Sequence, residues 1–143
     1  MTRGHISGDD YDDSRGVMAE MKITYKTKID TELSADEQRQ LLITSVAGSW
    51  TSDDSSIKLS NREVRITCSC VFPNVDQSKT RKPTVNAFDY DTNFDEYVCV
   101  DGFNAVAGAE MDVTLKRGTS SSWLFNYDML GNIASNGGEY ISW

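Results

Sequence analysis

The chain has 143 residues, of which 38% are hydrophobic and 25% are charged, and its formal net charge is −8. This balance excludes a disordered chain, and a chain of this length can bury roughly two-thirds of its unfolded surface without a metal or disulfide. No apolar run reaches the ~18 residues of a membrane span, and an acidic surface repels phosphate, so we expect a cytoplasmic protein without membrane or nucleic-acid partners.

The first part of the chain divides into a leader and a strand. Residues 1–20 combine three glycines with a cluster of aspartates and show no apolar period, which predicts a flexible acidic leader. Residues 21–29 then alternate in a way that is typical of a half-buried strand. The expected buried face consists of Met21, Ile23, Tyr25, Thr27 and Ile29, and the exposed face consists of Lys22, Thr24, Lys26 and Lys28. We therefore expect a single β-rich domain over residues 21–143.

A helix is predicted over residues 35–47. Ser34 can cap its first turn, Glu37 can complete a capping box, and Gly48 suits the position after the last turn. Its apolar face would consist of Leu41, Leu42, Ser45 and Val46.

After residue 49 the pattern is β throughout. Strands are predicted near residues 56–59, 63–72, 85–88, 97–100, 111–116, 123–128 and 139–143. In the second of these, Cys68 and Cys70 share one face with Val64, Ile66 and Phe72, which favours two buried core cysteines over a metal or redox pair. A polar basic loop over residues 74–83 follows that strand.

The order of elements predicts an α+β fold, mostly antiparallel β. One capped helix would pack on a curved sheet, or the strands would form a sandwich or partial barrel.

Catalytic chemistry finds little support in this sequence. The single histidine is His5, inside the predicted leader, so no Ser–His or Cys–His nucleophile pair and no histidine-containing zinc site can be assembled. We expect a protein that is not an enzyme and needs no cofactor.

The acidic charge is concentrated late in the chain. Residues 88–143 contain nine acidic and two basic residues, a net charge of −7. A candidate binding surface consists of Asp89, Asp91, Asp95, Glu96 and Asp101. Such a cluster attracts a protein with a basic surface.

The same segment also places oxygen ligands at alternate positions, as calcium loops do, in Asp89, Asp91, Asn93 and Asp95. Phe94 stands where an EF-hand has its turn glycine, and Val100 stands where it has its bidentate glutamate. A solvated acidic loop is therefore the stronger interpretation.

A second candidate site involves aromatic residues. The motif Val46-Ala47-Gly48-Ser49-Trp50-Thr51 resembles the G-x-W signature that opens lipocalin-like and avidin-like barrels. The resemblance implies a barrel whose closed end is plugged by Trp50, with Trp50, Trp123 and Tyr127 lining a small-ligand pocket.

Three functions follow from these observations. The favoured hypothesis is a non-catalytic interaction module of the inhibitor or immunity type, which presents an acidic face to a basic protein. The alternatives are a small-ligand-binding barrel and a structural subunit of a larger assembly, for example a viral one.

Overall fold

The structure, a computed structural model, describes residues 2–35, 37–71, 74–101 and 104–130. These residues form nine strands and no helix. The strands are β1 (Thr2–Tyr11), β2 (Val17–Ile29), β3 (Arg39–Ser52), β4 (Ile57–Ser69), β5 (Ser78–Arg81), β6 (Ala87–Asp91), β7 (Val98–Cys99), β8 (Val106–Arg117) and β9 (Trp123–Asp128).

The strands form two antiparallel sheets. The first sheet has the order β1-β2-β3-β6, with β7 pairing the start of β3, and the second has the order β5-β4-β8-β9. Over the described ranges neither sheet closes into a barrel, so the barrel that the G-x-W motif implies is not found there.

One hydrophobic core lies between the inner faces of the two sheets. The long strands β2, β3, β4 and β8 contribute mainly alternate side chains, because successive residues of a strand point to opposite faces. Its largest fully buried members are Tyr25, Ile23, Leu41, Ile43, Ile66, Met111, Leu115, Met129, Val17, Val46 and Val64. The predicted strand over residues 21–29 is confirmed as the main part of β2.

The predicted helix over residues 35–47 is wrong, and with it the α+β class. Ser34 and Glu37, the residues of the predicted capping box, lie in a turn, where the Glu37 backbone N–H donates to the Ser34 carbonyl at 2.9 Å. The following residues form β3, since Ile43 and Val46 are β-branched and favour a strand between two partners.

A β-bulge explains why this strand resembled a helix. Thr24 pairs with Ser45 and Tyr25 pairs with Ile43, so Thr44 is an extra residue in β3. The bulge breaks the two-residue alternation that identifies a strand in a sequence.

The segment expected to be a flexible leader is part of the first sheet. Residues 2–11 form β1, which pairs with β2 along its whole length, and Val17 and Ala19 are completely buried. Asp12 stabilises the connecting turn by accepting hydrogen bonds from the backbone N–H groups of Ser14 and Val17. The sequence does not indicate this strand, because Gly4 and Gly8 flank Ile6 and leave β1 without an apolar period.

The later strands agree more closely with the sequence pattern. The strand over residues 123–128 is found at those residues, and the two strands expected at 56–59 and 63–72 are one strand, β4, interrupted by an irregularity. The predicted basic loop contains the short strand β5. The strand expected at residues 139–143 lies outside the described residues. Among the residues described, no helix has the length and apolar character that a membrane crossing requires.

Candidate acidic interaction face

Asp89 and Asp91 lie on β6, at one edge of the first sheet. The neighbouring residues Phe88 and Tyr90 face inward. The Phe88 ring stacks on the Tyr90 ring with centroids 5.5 Å apart, and its centroid lies 5.6 Å from that of the Trp50 ring. Both aspartates are exposed on the opposite, outer face of the sheet. The apolar packing of β6 thus fixes the direction in which its carboxylates point.

The chain that follows β6 is anchored to β3 through Thr92. This buried side chain donates a hydrogen bond from Oγ1 to the carbonyl of Ile43 at 2.7 Å and accepts one from the backbone N–H of Phe94 at 3.2 Å. Asn93 has a φ of 57°, a left-handed conformation that asparagine tolerates better than most residues. The sharp turn returns the backbone toward the second sheet.

Gln77, just before β5, holds the next part of this segment. Its Oε1 accepts hydrogen bonds from the backbone N–H groups of Asp95 and Glu96 at 3.2 and 3.1 Å. Its Nε2 donates to the carbonyl of Glu96 at 2.8 Å and to that of Cys68 at 3.1 Å. One side chain therefore satisfies three backbone groups of the acidic segment and ties them to β4.

Lys79 of β5 makes the second connection. Its Nζ donates to the carbonyl oxygens of Asp91 and Thr92, each at 3.0 Å. The ammonium is thus directed at backbone oxygens, and no carboxylate of the segment forms an ion pair with it.

These contacts fix the backbone and leave the acidic side chains in water. We call the exposed carboxylates of Asp89, Asp91, Asp95 and Glu96 the acidic face. Together they carry four formal negative charges, and none forms an ion pair with another described residue.

Asp101 does not share this property. Its carboxylate forms a bidentate pair with Arg39, with Nε–Oδ2 and Nη2–Oδ1 distances of 2.9 and 2.5 Å. The pairing follows from the chain path, because the Val100 N–H donates to the Arg39 carbonyl and brings the two side chains together. Arg39, at the start of β3, thus compensates the charge of Asp101. Asp101 therefore does not belong to the acidic face.

Strand register adds two acidic residues that the sequence analysis did not select. On the outer face of the first sheet, Asp9 pairs with Glu20. The next row of paired residues on that face includes Lys22, Ala47 and Asp89. A depression of about 400 Å³ lies here, and its lining includes Asp9, Glu20, Lys22, Ala47 and Ser49. The alternation of exposed residues from Arg3 to Asp9 is the signal that could have revealed β1.

The calcium hypothesis receives no support from the geometry. Within the described ranges, no group of three or more His, Cys, Asp or Glu side chains is arranged to hold a metal ion. Asp89 and Asp91 extend along a strand, whereas Asn93 and Asp95 follow a turn that Thr92 and Gln77 hold in place.

Neither of the two surface depressions, of about 400 and about 210 Å³, is lined by all three aromatic residues of the alternative ligand pocket. Trp50 lies in the filled core on β3, is 2% exposed, and its Nε1 has no hydrogen-bond partner among the described residues. Trp123 and Tyr127 are half-buried on β9, in the other sheet. Trp123 borders a separate depression of about 210 Å³ beside Asp10 and Asp12, and the lining of neither depression includes Trp50.

A second acidic cluster, also missed from the sequence, occupies the outer face of the second sheet. The Arg65 guanidinium contacts Glu63, Glu110 at 2.8 Å and Asp112 at 2.5 Å. Asn126 donates to Asp112 and Glu110 from β9. The Arg65 hydrogen bond lowers the pKa of Glu110, so the Glu110 carboxylate stays ionised beside this cation.

Comparison with known proteins assigns no family to this arrangement: no protein-family model, no curated protein and no solved structure matches the chain.

Proposed function

We propose that the protein is a non-catalytic interaction module that presents the acidic face to a basic surface of a partner protein. The observation that carries this proposal is that none of the four carboxylates of the acidic face forms an ion pair with a described residue. The four exposed carboxylates lie within eight consecutive residues. Hydrogen bonds of Thr92, Gln77 and Lys79 fix the backbone that carries them.

Five other acidic residues of the described chain form ion pairs and so show the contrast. Asp54 pairs with Arg117, Asp101 pairs with Arg39, and three carboxylates surround Arg65. Repulsion among uncompensated charges destabilises a free protein, and it is relieved when a cationic partner binds. The acidic face is thus suited to attract such a partner.

Fixed backbone geometry supports the same proposal. A loop that must become ordered on binding loses conformational entropy, whereas a loop held by its own hydrogen bonds has already lost it. The hydrogen bonds of Gln77 leave the Asp95 and Glu96 carboxylates unused, because they engage only the backbone. Both side chains remain available to a partner.

The test measures association with a basic probe. We expect a polylysine peptide to bind the wild-type chain, and Asp91→Asn/Asp95→Asn to slow its association several-fold with little change in dissociation, because long-range attraction acts mainly on the encounter rate. Stopped-flow fluorescence at about 0.1 M and about 1 M salt should show the wild-type rate falling as the Debye length decreases from about 10 to about 3 Å.

A matched control separates the acidic face from overall charge. Glu32→Gln/Asp53→Asn removes the same charge from two exposed residues elsewhere, and it should slow association distinctly less. Equal slowing by the two double variants would contradict the proposal, since any carboxylate would then serve. Unchanged association combined with a higher melting temperature of Asp91→Asn/Asp95→Asn would identify a solvated turn instead.

A further inference from the structure

The strand β1 leaves one edge of the first sheet open. It pairs with β2 on one side, and no strand of the described ranges pairs with its other side. An open edge exposes backbone N–H and C=O groups that can pair with another strand.

Hydrogen bonding in the β1–β2 turn shows which backbone groups of β1 face outward. The Asp12 N–H donates to the Val17 carbonyl at 3.0 Å, so the even-numbered positions of this ladder direct their backbone groups toward β2. The odd-numbered residues of β1 therefore direct theirs to the open edge. These residues are Arg3, His5, Ser7, Asp9 and Tyr11, and all of them are exposed.

The open edge carries a positive charge near one end and a negative charge near the other. Arg3 lies near the beginning of β1, Asp9 lies near its end, and neither forms an ion pair with a described residue. Antiparallel pairing places the beginning of one strand opposite the end of the other. A second copy of β1 therefore brings each positive end against a negative end.

Only certain registers keep the two outer faces on the same side. Directly opposite residues must both point outward or both point inward, so the two-fold axis has to pass through a residue. With the axis at Ile6, Arg3 lies opposite Asp9 of the second copy, His5 lies opposite Ser7, and Ile6 lies opposite itself. Moving the axis to either neighbouring residue separates Arg3 from Asp9.

We infer that β1 is a self-association edge, through which two copies of this chain pair antiparallel about Ile6 and join their first sheets. Opposite charges placed across an antiparallel pair stabilise it, whereas like charges destabilise it. Charged residues often protect an edge strand from pairing, but here their order favours pairing with an identical strand. Edge-to-edge contact buries little area, so we expect a concentration-dependent dimer. This inference is independent of the acidic face.

Charge reversal tests the pairing. In sedimentation velocity at about 0.1 M salt, the wild-type chain should form more dimer as its concentration rises, and less at about 1 M salt. Arg3→Asp and Asp9→Arg should each remain monomeric, because each places like charges opposite one another twice. The double variant, Arg3→Asp/Asp9→Arg, should regain the dimer, since it exchanges the two charges.

A cysteine variant tests the register. The Ile6 pair would be a non-hydrogen-bonded pair with Cα atoms about 4.5 Å apart, within the range of a disulfide. Ile6→Cys should form a disulfide-linked dimer under mild oxidation. Ser7→Cys, whose counterpart would lie on the diagonal about 7–8 Å away, should not.

Urea unfolding of each variant checks that the fold is intact. A wild-type chain that sediments as a monomer at every concentration overturns the inference. So does a dimer that both single charge variants retain, because its interface would lie elsewhere, or a double variant that fails to regain association. Cross-linking of Ser7→Cys in preference to Ile6→Cys would overturn the register.

Discussion

At the scale of single residues, Arg65 has the largest number of charged partners in the described structure. Its three acidic partners come from β4 and β8, which pair through residues far apart in the chain. No local spacing in the sequence indicates this cluster, because the strand register alone brings Arg65 opposite Glu110. Sequence patterns predict which face a residue lies on, whereas charge pairing across strands requires the register.

We predict that Arg65→Met destabilises the fold by about 2 kcal/mol at neutral pH, because it leaves three carboxylates close together without a cation. The measurement is the free energy of unfolding in urea, compared with Arg62→Met. Arg62 contacts only the amide of Asn86 among the described residues, so its loss should cost much less.

The pH dependence of this difference has a defined sign. Arg65 lowers the folded-state pKa of Glu110, so its stabilising effect is complete above the usual glutamate pKa and is lost as pH falls through the lowered value. The gap between wild type and Arg65→Met should therefore narrow as the solution is acidified below about pH 4. A gap that stays constant down to pH 2 would show that packing, not charge, causes the loss.

At the scale of elements, β1 and β9 approach each other through a glycine. A Cβ atom built on Gly8 would overlap the hydroxyl oxygen of Tyr127 and would lie 3.3 Å from its Cζ. The Tyr127 hydroxyl therefore occupies the space that a Cβ atom at position 8 would need. At this point the edge strand β1 of the first sheet contacts the edge strand β9 of the second.

We predict that Gly8→Ala lowers the free energy of unfolding by about 1–3 kcal/mol, since the added methyl group must displace Tyr127. Tyr127→Phe removes the clashing oxygen, so the double variant should recover most of the loss. Urea unfolding of the two single variants and the double variant gives the coupling free energy. Additive effects would contradict the contact.

The elements also show how far sequence patterns reach. Regular alternation identified β2, β4 and β9, because in each of them one face is apolar and the other is polar. The bulge at Thr44 concealed β3, and the glycines of β1 concealed the edge strand. In the candidate site, Asp89 and Asp91 were predicted as exposed acids. The compensation of Asp101 by Arg39 depends on a contact between residues far apart in the chain, which local patterns do not contain.

At the scale of the whole molecule, the three cysteines report on the integrity of the core. Cys68, Cys70 and Cys99 are buried free thiols, as the alternation of β4 predicted for the first two. Burial raises the pKa of Cys68 to about 11 and also raises the pKa of Cys99. Buried thiols with raised pKa values react slowly, because the thiolate is the reactive form.

We predict that none of the three thiols is labelled quickly by a maleimide in the native protein. Labelling should proceed through opening of the two sheets, so its rate should rise in parallel with the unfolded fraction as urea is added. Mass spectrometry of the labelled chain checks this. Rapid labelling of Cys99 alone would indicate local opening of β7, the two-residue strand that carries it.

The two sheets differ in how their strands follow one another along the chain. In the first sheet, β1, β2 and β3 are consecutive neighbours, whereas β4 in the second sheet pairs with β8, so that Ile57 meets Arg117. Neighbouring hairpins form faster than pairings that close a long loop. During synthesis the first three strands can pair before β8 has left the ribosome. Of the two partners of β4, the four-residue strand β5 emerges early, but most of β4 must wait for β8. Chaperone binding to the nascent chain should accordingly concentrate on β4, because its longest pairing, the one with β8, forms late in synthesis.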